Sequence, residues 1–313
     1  MINQSEVVKV KTRMSSSARR KRIIPFNFQM AGLCLNILSR LHNEWPARVL
    51  SKIWFTVFKS KPKQWVNEFW RQADQCLILD LGDKSLPVHS WGKGSLVVLM
   101  HGWSGSGTQF RRFIPALVSA GYQVVTFDAP AHGQNPGSQS HLIEFSNTLL
   151  AIQSQVGDIN TVLAHSLGAM ATTVAMQRGL QAQQLVLMAP HLDVQKMFES
   201  YSALLNLRPA LADRFHALIG QKMYDILGDQ DPWSTLNPQT LLKYKATAGM
   251  LVYDRDDEEV DAQIFEAIEA NWENCLTVKT EGLGHNSILK DADTIQSVLA
   301  YLRSGETNKN HKK

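Results

Sequence analysis

From Leu96 onward the chain alternates between short apolar runs of strand length and longer stretches whose apolar positions recur every three or four residues. Leu96–Met100 is apolar throughout and reads as a buried strand, followed by a helical stretch from Gln109 to Ala120. That stretch sets Phe110, Phe113, Ile114, Leu117 and Val118 on one face before Gly121 closes it. The alternation continues with a strand at Gln123–Phe127, a helix at Leu142–Val156, a strand at Thr161–Ala164 and a helix at Leu167–Arg178. Leu185–Met188 and Met250–Tyr253 extend the strand series, then a helix near Asp261–Asn271, a strand at Leu276–Lys279 and a last helix at Asp291–Leu302. Strands that are apolar on both faces and separated by helices predict an α/β fold: a mostly parallel sheet with helices on both faces. In such sheets functional groups collect at the carboxyl ends of the strands.

Three stretches flank or interrupt this core. Cys76–Leu79 and Val88–Trp91 read as a strand pair joined near Gly82-Asp83. Between Met188 and Met250 the strand signal disappears, and helical patterns at Val194–Leu205 and Pro209–Leu218 suggest a small helical lid insertion, about 190–248. From Phe28 to Trp70 the pattern is again helical and holds four of the eight tryptophans: Trp45, Trp54, Trp65 and Trp70. Amphipathic helices packed on the main body are the first reading of this segment, and a membrane-surface or substrate-tunnel element the second. The division is then a disordered basic arm (1–22), a helical extension (23–75), the main domain (76–304) and a disordered tail (305–313).

A chain of 313 residues can bury the core of one large domain with an added segment. Its net charge of +4 is uneven: residues 1–22 hold seven Lys/Arg against Glu6 alone, so the remainder carries −2. A nucleic-acid-binding body is therefore not expected, whereas the basic arm suits weak contact with an acidic membrane surface. Cys34, Cys76 and Cys275 lack metal or disulfide spacing. Polar residues interrupt Ile23–Leu38, which is too short to cross a bilayer and is followed by no cleavage signal. A cytoplasmic protein, peripheral to the membrane at most, is expected.

The chemistry centres on Thr161–Met170, where a strand turns through Ala164-His165-Ser166-Leu167-Gly168 into a helix. Such a turn lifts a serine hydroxyl clear of the backbone beside free helix N–H groups, so Ser166 is the candidate nucleophile. A serine needs a base, and the base an orienting acid. His285, in the glycine-rich loop after the last strand, is the candidate base. The acid belongs in Asp254-Arg255-Asp256-Asp257-Glu258-Glu259-Val260, with Asp257 first, Asp254 second, and Asp193 an outside candidate. His101, His132 and His165 could meet at the strand ends, but their spacing is not that of a metal site and packing roles are preferred for His101 and His165. No cofactor or metal is implied.

His101-Gly102-Trp103, Asp128-Ala129-Pro130-Ala131-His132-Gly133, the Ser166 turn, the acidic run and Gly284-His285 together resemble the serine α/β-hydrolase family, from about Leu96 to Leu302. They are similar in particular to bacterial members with HGW and DAPAHG loops and a helical amino-terminal extension. Two positions depart from the pattern: Ala164 replaces the first elbow glycine, and Asp254 replaces a glycine three residues before Asp257. The resemblance implies an α/β-hydrolase fold, a Ser166–His285–Asp257 triad, and an oxyanion hole of Trp103 and Leu167 backbone N–H groups. The expected function is a serine hydrolase cleaving a carboxylic ester or thioester of a small-molecule acyl substrate through an acyl-enzyme. The alternatives are acyl transfer or perhydrolysis with the same triad, and a non-catalytic ligand-binding or signalling protein on the same fold.

Overall fold

The computed structural model describes residues 8–9, 26–61, 63–242 and 248–310. A two-residue strand β1 (Val8–Lys9) precedes helices α1 (Phe26–Ser39), α2 (Glu44–Trp54) and α3 (Gln64–Arg71). An edge hairpin of β2 (Gln75–Asp80) and β3 (Ser85–Trp91) leads to β4 (Leu96–Met100), a 3-10 turn (Gly107–Phe110), α4 (Phe113–Ser119) and β5 (Gln123–Phe127). Next come α5 (Leu142–Gln155), β6 (Ile159–His165), α6 (Leu167–Gln177) and β7 (Ala182–Met188). The insertion comprises α7 (Val194–Leu204), α8 (Pro209–Ile226), α9 (Pro232–Thr235) and α10 (Pro238–Leu241). The chain closes with β8 (Ala248–Asp254), α11 (Ala262–Asn271), β9 (Cys275–Thr280), α12 (Gly284–Ser287) and α13 (Ala292–Asn310).

The strands form one sheet in the order β1-β9-β8-β7-β6-β4-β5-β3-β2. Among the described strands, only the pairs β2/β3 and β3/β5 are antiparallel. Every residue of β4 and of β6 is buried. Alternate residues feed opposite layers. Val98, Val162, Leu187 and Leu251 lie in one hydrophobic cluster, and Val97, Leu163, Val186 and Val252 in the other. Strand sequences without a polar face are explained by this double covering, because water reaches neither side of the central sheet. Register then aligns the carboxyl ends: Met100 opposes Ala164, His165 opposes Met188, and Asp254 opposes Thr280. The loops that leave those ends therefore share one rim of the sheet.

Four boundaries differ from the periodicity reading. The stretch Gln109–Ala120 is not one helix but a 3-10 turn followed by α4, which begins at Phe113. Pro115 is the cause. A helix begun at Gln109 would hold it in its interior, where its ring meets the preceding turn and it offers no N–H; starting at Phe113 leaves Pro115 in the first turn. Helix α8 continues past Leu218 to Ile226, through Gly220. A β-carbon at Gly220 would sit 2.8 Å from the Trp233 indole nitrogen, so this glycine admits a neighbouring ring and does not end the helix. Helix α13 likewise runs through Gly305 to Asn310, where a disordered tail was expected, and a β-carbon at Gly305 would lie 1.9 Å from the Gln184 amide nitrogen. Of the basic arm, Val8 and Lys9 pair in parallel with Val278 and Lys279; the rest of residues 1–22 lies outside the described residues.

The amino-terminal extension is one half of the cover over the rim, and the insertion is the other. Asn36 of α1 donates to the Asn206 carbonyl at 2.8 Å and accepts from the Arg208 N–H at 2.9 Å. Arg214 of α8 meets Glu44 of α2 at 2.5 Å. Trp54, at the end of α2, packs edge-on against Tyr201 and Phe215 of the lid, with centroids 5.7 and 6.1 Å away. Past α2, Val57 N–H donates to Ser138 O at 2.9 Å, and Phe58 N–H to the Ser104 hydroxyl at 3.1 Å. This tethers the segment between two rim loops. Gly32 sets the spacing between the halves, since a β-carbon there would stand 1.9 Å from the Leu205 carbonyl oxygen. Gly32→Val should therefore push α1 from the lid and destabilise the protein by about 1–3 kcal/mol, the usual cost of overpacking a close contact. A lowered urea-unfolding midpoint at unchanged m-value would register it.

Candidate active site

At the β6–α6 junction the backbone turns sharply, with Ser166 at φ 54° and ψ −124°. A side chain held at positive φ costs on the order of 1–3 kcal/mol, so the surroundings must enforce it. Ser166 N–H donates to Met188 O at 3.0 Å, and its carbonyl accepts from Ala169 N–H at 3.0 Å. The turn also leans on its neighbours. A β-carbon at Gly168 would approach the His101 carbonyl oxygen to 2.5 Å, and one at Gly102 would approach Ser166 Cβ to 2.9 Å. Glycine is required at both positions. Ala164, two residues before the serine, keeps its methyl fully buried in the core cluster, which is why alanine serves there.

The structure brings Ser166, His285 and Asp257 together in one hydrogen-bonded line. His285 Nε2 lies 3.0 Å from Ser166 Oγ, and its Nδ1 lies 2.8 Å from Asp257 Oδ2. The other Asp257 oxygen accepts from the N–H groups of Glu259 and Val260 at 2.8 and 3.0 Å, so the carboxylate is held by backbone on one side and by imidazole on the other. Gly284, at φ 64°, lets the chain turn back directly before His285. Asp254 is elsewhere. Its carboxylate accepts from Asp256 N–H at 2.9 Å, Thr280 Oγ1 at 2.7 Å and Leu283 N–H at 3.0 Å, which ties the β8 and β9 loops together. Asp193 caps α7, accepting from Lys196 N–H at 2.9 Å.

The flanking histidines are structural parts of the rim. Ala129 N–H donates to His101 Nε2 at 2.9 Å, so His101 carries its proton on Nδ1, 2.7 Å from Gly102 O. Burial pulls its pKa down to about 4, and that of His132 to about 3. His165 reaches 3.0 Å to the carbonyl oxygen of His285, and burial first, then the neighbouring imidazole, lower it to about 3. It steadies the loop of the candidate base. Asp128 is buried and accepts from Gly107 and Gln134 N–H groups at 2.9 Å each; desolvation raises its pKa. Gly133 is needed beside it, because a β-carbon there would collide with the carboxylate at 2.0 Å.

Above Ser166 lies a cavity of about 550 Å³. The lid contributes Met197, Tyr201 and Leu204 to its wall, the domain Leu142 and Met170, and the extension Ile53, Trp54, Phe55 and Phe58. The extension therefore both packs on the body and lines the space over the serine. Three lining residues were not singled out from the sequence. His191 follows β7, and its N–H donates to Ser166 O at 3.3 Å; position just past a strand end was the one signal it offered. Glu259 places a carboxylate oxygen 3.7 Å from His285 Nε2, and Asn286 donates to that same side chain at 3.1 Å. Leu167 opens α6 directly after Ser166, and a β-carbon at Gly102, next to Trp103, would stand 2.9 Å from Ser166 Cβ, so both segments run beside the serine turn.

Residues 97–296 match the alpha/beta hydrolase family. No curated protein matches the chain in sequence. Among solved structures it is similar to a candidate lipase from Acinetobacter baumannii AYE, at 17% identity and a TM-score of 0.59, over 80% of this chain and 99% of that one. A carboxylesterase from Nitrososphaera gargenis aligns at 13% identity and TM-score 0.57, over 74% of this chain and 100% of that one. A thermophilic esterase from Thermogutta terrifontis gives 13% and 0.54, over 74% and 99%. At these identities the likeness is one of fold.

Opposed influences act on the His285 imidazole. Burial, the largest, favours the neutral ring, while the Asp257 hydrogen bond and charge, with Glu259 adding to them, favour the cation and raise the pKa from its usual 6.5. In an NMR titration His285 should therefore titrate above 6.5. Asp257→Asn should bring it below 6.5, because desolvation then loses its main opponent.

Proposed function

We propose that this chain, which belongs to the alpha/beta hydrolase family and is a hydrolase on that footing, cleaves carboxylic esters or thioesters by a serine acyl-enzyme route. The observation that carries the reading is the line from Ser166 Oγ through His285 to the shielded side chain of Asp257, set at a strained strand-to-helix turn under an apolar cavity. In this reading neutral His285 takes the Ser166 proton as Oγ attacks the acyl carbonyl, and the same nitrogen returns it to the departing alcohol or thiol. Asp257 fixes the tautomer with the proton on Nδ1 and stabilises the imidazolium. The N–H groups of Leu167 and Trp103 receive the oxyanion, each contributing about 3 kcal/mol when preorganised. Water, activated by His285, then releases the acid. An apolar cavity of this size suits a small to medium uncharged acyl group. The carboxylate of Glu259 at the rim disfavours an anionic group next to the serine.

A fluorophosphonate probe followed by peptide mass spectrometry tests the reading: Ser166 should be modified, and Ser166→Ala should abolish labelling. Absence of labelling in folded protein would overturn the hydrolase reading in favour of ligand binding. Against a p-nitrophenyl ester, Ser166→Ala should lose about 10⁴-fold or more in kcat, and Asp257→Asn about 10⁴-fold. Asp254→Asn should lower the melting temperature, with less than about tenfold effect on kcat, since its partners are loop groups. The base works only when neutral, and its raised pKa means protonation sets in above pH 6.5 as pH falls. The acid limb of kcat/KM should thus lie above 6.5, and Glu259→Gln should shift it to lower pH.

A further inference from the structure

Helix α1 has two unlike faces. Gly32 and Ser39 are buried and Leu35 and Asn36 partly so, all toward the lid loop that α1 grips. On the other side Met30, Leu33 and Ile37 follow one another at helical spacing, Leu41 in the turn after the helix continues their line, and all are open to solvent. Leu33 is 50% exposed, Ile37 54% and Leu41 88%, with Leu38 and Trp45 also exposed nearby. Isolated exposed apolar residues need no explanation, but a contiguous stripe of this kind marks a surface that is covered in use. No acidic or basic residue occurs in the whole of α1. Three residues before it the sequence reads Arg19-Arg20-Lys21-Arg22, and Arg40 follows it.

We propose that α1 is an interfacial helix that seats the enzyme on an anionic lipid surface, its apolar stripe in the acyl boundary and the flanking basic residues at the headgroups. Three features select a bilayer over a protein partner. The stripe offers no charged group that would fix register with a protein, the basic residues stand at its two ends rather than within it, and the sign of the arm is opposite to that of an anionic leaflet. Fourteen residues of helix extend about 21 Å, short of the roughly 30 Å needed to span, and no helix among the described residues is long and apolar enough to cross. The helix lies on the surface. Its inner face holds the lid at Leu205 and Asn206, and the chain leading from it lines the cavity through Trp54, Phe55 and Phe58. Seating α1 on lipid would bring the cover of the cavity against the phase that holds acyl chains.

The test uses the full chain and reads binding, not turnover, so it stands or falls apart from the serine chemistry. Purified protein is sedimented with vesicles of phosphatidylcholine, alone or with phosphatidylglycerol, and compared with a Leu33→Gln/Ile37→Gln/Leu41→Gln variant; all three residues are exposed and lie outside the cavity. The wild type should partition onto the phosphatidylglycerol vesicles, and the variant should bind them at least about tenfold more weakly while keeping its melting temperature. Raising the salt from about 0.1 to 0.5 M should weaken wild-type binding severalfold. Equal binding to neutral and anionic vesicles, or undiminished binding by the variant, would overturn the proposal. So would a dimer in analytical ultracentrifugation that the variant abolishes while neither protein binds vesicles, since a second copy would then be what covers the stripe.

Discussion

The fold is constrained most tightly where strand β6 gives way to helix α6. There the backbone of Ser166 is held at positive φ by hydrogen bonds to the neighbouring strand end and by two glycines that allow His101, Gly102 and the turn to touch. The central strands have to end in step for this to happen. Aligned register across β4, β6, β7 and β8 puts the loops bearing Trp103, Ser166, His191 and Asp257 on one rim, and the parallel order sends β9 and its His285 loop to the same side. A slip of one residue in any of these pairs would reverse the faces of a strand buried on both sides and carry its loop out of reach. Core packing and site geometry are thus set by the same registers.

Polar groups at the rim are arranged so that one imidazole bridges a carboxylate and a hydroxyl while others pack as neutral rings. His101 is locked by hydrogen bonds at both nitrogens, and His165 is turned onto a backbone carbonyl, with burial keeping both neutral. His285 alone among them faces a carboxylate on one side and a hydroxyl on the other. Asp254 and Asp128 hold loops through backbone N–H groups, so the shape of the rim rests on carboxylates that stand away from the serine.

The cover over the rim is assembled from two distant parts of the chain. Helices α1 and α2 and the residues inserted after β7 meet through Asn36, Glu44 and Trp54. The wall of the cavity therefore depends on the extension as much as on the lid. Truncating the extension would remove Trp54 and Phe55 from the space above Ser166 and expose the lid residues they cover.

Local sequence was enough to determine the α/β class, nearly all of the strands, the serine turn and the histidine after the last strand. Each of these is written in short-range pattern: apolar runs for strands buried on both faces, small residues where backbones touch, and glycines before His285. Helix ends were less legible at Gly220 and Gly305, because what a glycine permits there depends on which distant group stands beside it; the break before Pro115 is a local effect of its ring. Which of Asp254, Asp257 and Asp193 stands beside His285 is visible only in the tertiary structure. All three lie at or just past strand ends, and only the fold shows that Asp254 and Asp193 are engaged by other groups while Asp257 faces an imidazole. The same holds for the extension. Its helices were legible from their periodicity, but their place over the cavity arises from contacts with residues some 170 positions away, and no local pattern encodes a distance of that kind.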